Sequence, residues 1–250
     1  MKRLESLFFY PDAIDYGGHP ENEGYELETL AIPSQGAVLH GWYVKSPVEP
    51  KATIVHFHGN AGNVTNHWGY VAALPQLGFD VVTFDYRGYG KSTGKPDFQG
   101  VYDDCCAVLQ ECSLRQPRKI VLAQSIGGAF ASCAVAAHPQ GVVGFVIDSS
   151  FNSFRDVAAA TLRLPFASII TKALVSNRFK PETCIAKISA PKLFIHAVGD
   201  MIVPFALGQK LYSAASEPKK LITLQESSHI AFFSNSSQYQ EFLDFAQEVS

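Results

Sequence analysis

The sequence predicts a single α/β domain: a mostly parallel sheet of eight strands, helices on both faces, and a small helical cap inserted at about residues 153–180. Three observations carry this reading. Short β-rich runs alternate with helical patterns from one end of the chain to the other. Several of those runs are apolar without alternation, as in strands buried on both faces. The chain has 250 residues, 47% hydrophobic and 17% charged. That is enough apolar material for one large core and too little charge for a disordered chain.

The elements follow in order. Tyr25 to Ile32 and Val38 to Val44 form an antiparallel pair across a Pro33-Ser34-Gln35-Gly36 turn. Ala52–Phe57, Asp80–Phe84 and Lys119–Ala123 are the doubly buried runs, and Val142–Ile147, Lys192–His196 and Lys220–Leu224 extend the series. Between them, Val101, Cys105, Val108, Leu109 and Cys112 fall on one helical face. Ile126–Ala137, Phe205–Ala215 and Gln238–Val249 also read as helices. The stretch from Ser153 to Lys180 interrupts the alternation with helical patterning of its own. It follows a strand, at the edge where open α/β sheets place ligands, so it reads as a cap. There is no repeat, low-complexity tract or linker.

Composition excludes other classes. A net charge of −3 with scattered basic residues argues against nucleic acid as the partner. The five cysteines (Cys105, Cys106, Cys112, Cys133, Cys184) match no disulfide framework or zinc spacing. Cys105, Cys112 and Cys133 read as small buried hydrophobes, which favours a reducing compartment. The apolar run at the N-terminus is interrupted by Glu5 and Ser6 and is too short for a signal or a membrane span, so the expected location is the cytoplasm.

The chemistry concentrates in four loops, all expected at the carboxyl edge of the sheet. In Lys119 to Phe130 a β-branched strand runs into Ser125, and small residues open an alanine-rich helix. A nucleophile held on a sharp strand-to-helix turn needs small neighbours two residues either side, here Ala123 and Gly127. A serine hydroxyl needs a base, and the base needs an orienting acid. Asp200 follows strand Lys192–His196, and His229 follows strand Lys220–Leu224. Asp148, at the end of Val142–Ile147, is the competing acid. His56 and His196 fall inside strands as core imidazoles, and His56-x-His58 lacks a third metal ligand. The loop His58-Gly59-Asn60-Ala61-Gly62-Asn63 is placed to supply an oxyanion donor from the Asn60 amide, with the Ile126 amide as the second. Asp85-Tyr86-Arg87-Gly88-Tyr89-Gly90-Lys91-Ser92 ends like a phosphate loop, but Asp85 stands where the first glycine belongs. Asp85 and Arg87 are expected to brace loops instead.

In that order, the motifs His58–Asn63, Asp85–Ser92, Gln124-Ser125-Ile126-Gly127-Gly128 and Gly199-Asp200-x-x-Val203-Pro204 resemble those of the α/β-hydrolases. The resemblance is to the branch of small-cap bacterial esterases and protein depalmitoylases. It departs at Ala123, where that branch usually has glycine. It implies the α/β-hydrolase fold and a serine hydrolase with Ser125, Asp200 and His229 as triad, needing no cofactor and no metal. The expected substrate is a small-molecule acyl ester or thioester. Trp68, Phe151, Phe154, Leu162, Phe166, Phe232 and Phe233 are the available apolar pocket lining. Three alternatives stand beside it. One is an aminopeptidase using Glu182 or Asp156 for the substrate amine, another an acyl-CoA or acyl-protein thioesterase, and the third a catalytically silent binding module.

Overall fold

The computed structural model of the chain describes residues 5–115, 117–162, 164–225, 228–230 and 236–250. Eight strands form one sheet in the order β1-β2-β4-β3-β5-β6-β7-β8. The strands are β1 Leu27–Ser34, β2 Ala37–Val44, β3 Ala52–Phe57, β4 Phe79–Phe84, β5 Lys119–Gln124, β6 Val142–Asp148, β7 Lys192–Ala197 and β8 Lys219–Leu224. β1, β2 and β4 pair antiparallel, and β3 to β8 run parallel. The described helices are α1 Val64–His67, α2 Phe98–Arg115, α3 Ile126–Ala137, α4 Phe154–Leu162, α5 Ala167–Leu174, α6 Pro181–Ile185, α7 Phe205–Ala214 and α8 Ser236–Val249.

Burial follows position in the sheet. Every residue of β3, β4, β5 and β7 is buried, whereas the edge strands β1 and β8 alternate. Covering both faces of a central strand removes the alternation of its pattern, so these runs are largely apolar, and the polar exceptions such as Asp80 and His56 are buried with them. One face packs Phe98, Phe130 and Phe154 with α2 and α3, and the other packs Trp42, Trp68 and Phe242. The first hairpin is tighter than its sequence suggests. Pairing continues to Ser34–Ala37, and Gly36 at φ 80 closes the two-residue turn Gln35-Gly36. The helix after β3 is short, giving way to 3-10 turns at Trp68–Tyr70 and Pro75–Leu77 where Gly69, Pro75 and Gly78 interrupt it.

Two further expectations meet the structure here. The insertion after β6 holds two helices, α4 and α5, with α6 following. Cys133 is not a thiol packed as a hydrophobe. It forms a disulfide with Cys184 that ties α3, the helix behind Ser125, to α6. Spacing alone hides this pair, because 51 residues separate the two cysteines and only the fold brings their Cα atoms to 4.9 Å. The argument for a reducing compartment loses its premise with it. Cys105, Cys106 and Cys112 are buried free thiols, as read from the sequence for Cys105 and Cys112. No helix among the described residues is long and apolar enough to cross a membrane.

Alkylation of the unfolded, unreduced chain is expected to modify three thiols, and five after reduction. Opening a 51-residue loop should lower stability by about 4 kcal/mol on chain entropy alone, read from urea melts with and without reductant.

Candidate active site

Ser125 stands at the junction of β5 and α3 with φ 52 and ψ −120, a backbone region that residues with a side chain rarely adopt. Its surroundings hold it there. The Ser125 N–H donates to the Asp148 carbonyl at 2.8 Å, and the Ser150 hydroxyl donates to the Ser125 carbonyl at 2.8 Å. A side chain at Gly127 would come within 2.5 Å of the Phe57 and His58 carbonyls, and one at Gly128 within 2.7 Å of Ser150. Ala123 is fully buried, and the turn accommodates its methyl group. The N-terminus of α3 opens directly after Ser125 and carries the positive end of the helix dipole.

Asp200 lies in the turn after β7 and His229 in the turn after β8, two neighbouring strands beyond β6. Their side chains meet: His229 Nδ1 lies 2.7 Å from Asp200 Oδ2. A proton on Nδ1 donates to the carboxylate and leaves Nε2 as the acceptor. The backbone N–H groups of Ile202 and Val203 each donate to Asp200 Oδ1 at 2.9 Å. His196, read from the sequence as a core imidazole, also faces this carboxylate. Its Nε2 lies 3.4 Å from Asp200 Oδ2 and donates to the Val203 carbonyl at 2.9 Å. Burial opposes the charge on Asp200, but hydrogen bonds with His196 and His229 prevail and hold the carboxyl well below the usual range.

The turn that carries His229 and the Ser125 turn both border Gly59. A methyl placed on Gly59 would lie 3.7 Å from Ser125 Cβ and 3.1 Å from the Cδ1 atom of Ile230. Ile230, the residue after His229, therefore packs against the same loop as Ser125, and its N–H donates to Ser149 Oγ. Asn60, expected as an oxyanion donor, is the hub of that loop. Its side-chain oxygen accepts from Tyr10 N–H, Tyr89 O–H and Ala61 N–H, and its amide nitrogen donates to the Phe8 carbonyl. Ile126, the other expected donor, is the first residue of α3.

Asp148 is the second carboxyl near the imidazole. It is fully buried, which raises it to about 6, against a hydrogen bond from Ser149 and the nearby His229. Gln124 reaches it at 3.5 Å and accepts from His56 Nε2 at 3.0 Å. Other assignments resolve on packing. Both ring nitrogens of His56 lie against Thr83 and Gln124. Asp85 accepts from the Val64 N–H, and a side chain at Gly90 would lie 2.1 Å from its Oδ2, so closeness to Asp85 explains the glycine. Arg87 forms a fork with Asp104, which also accepts from Ser34. The bracing role expected of Asp85 and Arg87 fits these contacts, with Asp104 the partner that sequence reading did not find.

The lining residues divide. Phe151 and Phe154 join an aromatic cluster with Phe8, Phe98 and Phe130 on the cap side. Trp68 does not. It is 1% exposed on the opposite face of the sheet, packed on Trp42 and Tyr25, with its indole N–H on Glu23. Its place after the His58–Asn63 loop suggested the site, but the helical turn points it into the core. Leu162 and Phe166 lie on the exposed outside of the cap. Phe232 and Phe233 lie outside the described residues.

The family described as serine aminopeptidase, S33, matches residues 48–185. The chain is an α/β-hydrolase. The hydrolase is 36% identical over 241 residues to the uncharacterized protein YfhR of Escherichia coli (strain K12), covering 92% of this chain and 81% of that one. It is 31% identical over 202 residues to the lysophosphatidylserine lipase ABHD12 of Danio rerio, covering 72% of this chain and 51% of that one. Its fold superimposes on the Pyrococcus furiosus esterase Pf2001 with a TM-score of 0.80 at 17% identity, over 97% of this chain and 98% of that one.

The raised pKa of Asp148 makes a prediction about stability. The folded state holds this proton more tightly than the unfolded chain, so stability from this group falls as pH rises toward about 6 and is level above it. The expected span is about 3 kcal/mol. Asp148→Asn cannot titrate there. Urea melts between about pH 4 and pH 7 should show the wild type losing stability relative to the variant across that window.

Proposed function

We propose that this hydrolase cleaves carboxylic esters or thioesters through an acyl-enzyme on Ser125, with His229 as base and Asp200 as its orienting acid. The observation that carries the reading is the 2.7 Å His229–Asp200 contact at the same sheet edge as a serine held at φ 52. His229 Nε2 takes the Ser125 proton as the hydroxyl oxygen attacks the acyl carbonyl. The oxyanion is received by the Asn60 and Ile126 amides, aided by the α3 dipole. His229 then protonates the departing alcohol or thiol. A water, deprotonated by the same imidazole, releases the acid and restores Ser125. Asp200 stays ionised throughout, because its partners hold its pKa low. Phe151 and Phe154 are the described residues proposed to stand on the acyl side.

The esterase and lipase names among the similar proteins support acyl-ester chemistry for the substrate class. An aminopeptidase would need a carboxylate left for the substrate amine. Asp156 and Glu182 both accept from Asn152 Nδ2, at 2.9 and 3.2 Å, and Asp156 also lies 3.5 Å from Lys210. These carboxylates tether α4 to α6, which favours the ester reading. A silent binding module fits poorly with a histidine and acid kept in hydrogen-bond contact.

A fluorophosphonate probe should label Ser125, located by peptide mass, and fail to label Ser125→Ala. Ser125→Ala and His229→Ala should each lower kcat on a short nitrophenyl ester by about 10⁴- to 10⁶-fold, and Asp200→Asn by less. Retained activity in Ser125→Ala would remove the assignment. Comparing oxyester, thioester and aminoacyl amide of one acyl group sets the leaving-group class.

A further inference from the structure

The cap is built inside out. Helix α5 buries Ala167 and Thr171, four residues apart, and turns Ile169, Ile170 and Leu174 to solvent. An amphipathic helix in a soluble domain does the reverse, because burial of large apolar side chains drives its packing. Just before α5, Leu164 and Phe166 are 56% and 76% exposed, and Leu162 at the end of α4 is 44% exposed. Phe166 sits at φ 59, so the backbone is strained at the residue that carries the most exposed aromatic ring on the cap. These side chains are contiguous in sequence on two adjoining helices. Met201 and Ile202, on the Asp200 turn, add exposed apolar surface at the carboxyl edge.

Charge identifies what this surface meets. Residues 153–180 contain five Lys or Arg and one Asp, a local charge of +4 in a chain whose total is −3, which leaves −7 on the rest. Lys172, Arg178 and Lys180 are exposed around the apolar residues. The single acid, Asp156, is paired with Asn152 and Lys210. A second protein would need only an apolar match. An anionic lipid surface matches both properties at once: its headgroups attract the basic rim, its hydrocarbon boundary takes Phe166 and Ile169, and the remaining negative body is repelled. The chain is thereby oriented with its cap, and the sheet edge beneath it, toward the bilayer.

We propose that the outer face of the cap docks on an anionic phospholipid surface and so presents the catalytic edge to acyl esters held in that surface. Only the second half rests on the hydrolase reading, and the test separates the two.

The protein is mixed with vesicles of phosphatidylcholine alone, or of phosphatidylcholine with phosphatidylglycerol, and sedimented. Binding is expected to the mixed vesicles and to weaken with added salt. The double variant Ile169→Ser/Leu174→Ser should bind at least about tenfold more weakly. Lys172→Gln should lose about fivefold on anionic vesicles. Leu114→Ser, at an 84% exposed site at the far end of α2, should bind as wild type. Ser125→Ala should also bind as wild type, so loss of docking and loss of hydrolysis are read apart. The cap variants should keep their hydrolysis of a short soluble ester and their melting temperature, showing that the fold survives. No binding of the wild type to anionic vesicles overturns the proposal. Equal binding to neutral vesicles, or a dimer in light scattering that the double variant splits without any vesicle binding, also overturns it.

Discussion

The site depends on one backbone conformation. Ser125 at φ 52 costs on the order of 1–3 kcal/mol relative to an ordinary region, and it persists because its neighbours leave no alternative. The chain must leave β5, present one side chain outward, and enter α3 within a single residue. That geometry forces Gly127 against the Phe57 and His58 carbonyls and Gly128 against Ser150. It also brings the Asp148 carbonyl, at the end of the adjoining strand, and the Ser150 hydroxyl just beyond it onto the Ser125 backbone. The strain is therefore balanced by contacts from two neighbouring strands. Relaxing the turn would swing the hydroxyl off the edge where the other loops converge.

Around that turn two buried carboxyls have opposite fates. Both are desolvated, and desolvation alone raises the pKa of an acid. Asp200 escapes this because two backbone amides and two imidazoles face it. Asp148 has one hydroxyl donor and a distant Gln124 amide, so burial dominates and it is raised to about 6. This difference, invisible in the residue type, distinguishes the two acids that the sequence offered. The imidazole bonds the carboxyl that is reliably charged, and Asp148 remains a titrating neighbour.

The fold was legible because doubly buried strands leave largely apolar runs, and every residue of β3, β4 and β5 is buried. The Ser125, Asp200 and His229 loops were legible for a related reason. In a parallel sheet, whatever follows each strand arrives at one edge, so three residues far apart in sequence share a neighbourhood by topology. Contacts depending on side-chain direction were not legible. Trp68 follows the right loop but a short helical turn sends it to the other face. His196, correctly placed in a strand, could not be seen to reach Asp200. Cys133 and Cys184 gave no spacing signal because their approach is a property of packed helices. Asn60 was expected to act through its backbone amide, while the contacts of its side chain, bonded to Tyr89 and to the segment through Phe8 and Tyr10, were a long-range matter.

The cap shows the limit of reading hydrophobic residues as interior ones. Ile169, Ile170, Ala173 and Leu174 have helical periodicity, and periodicity reports that a helix has an apolar face without saying what the face meets. Elsewhere in this chain the sheet supplies the partner, since α2 and α3 cover it with Val101, Cys105, Ala129 and Phe130. That face of the sheet is occupied by α2, α3 and the Phe98–Phe130–Phe154 cluster, with α6 packed on α3. What remains for α5 to touch is α4, and a contact between two small helices accepts Ala167 and Thr171 more closely than Ile169 or Leu174. The large side chains are left outward by exclusion from a full core. The segment that carries this surface has a charge of +4 in a chain of net negative charge, and its exposed Lys172, Arg178 and Lys180 set it apart from the body.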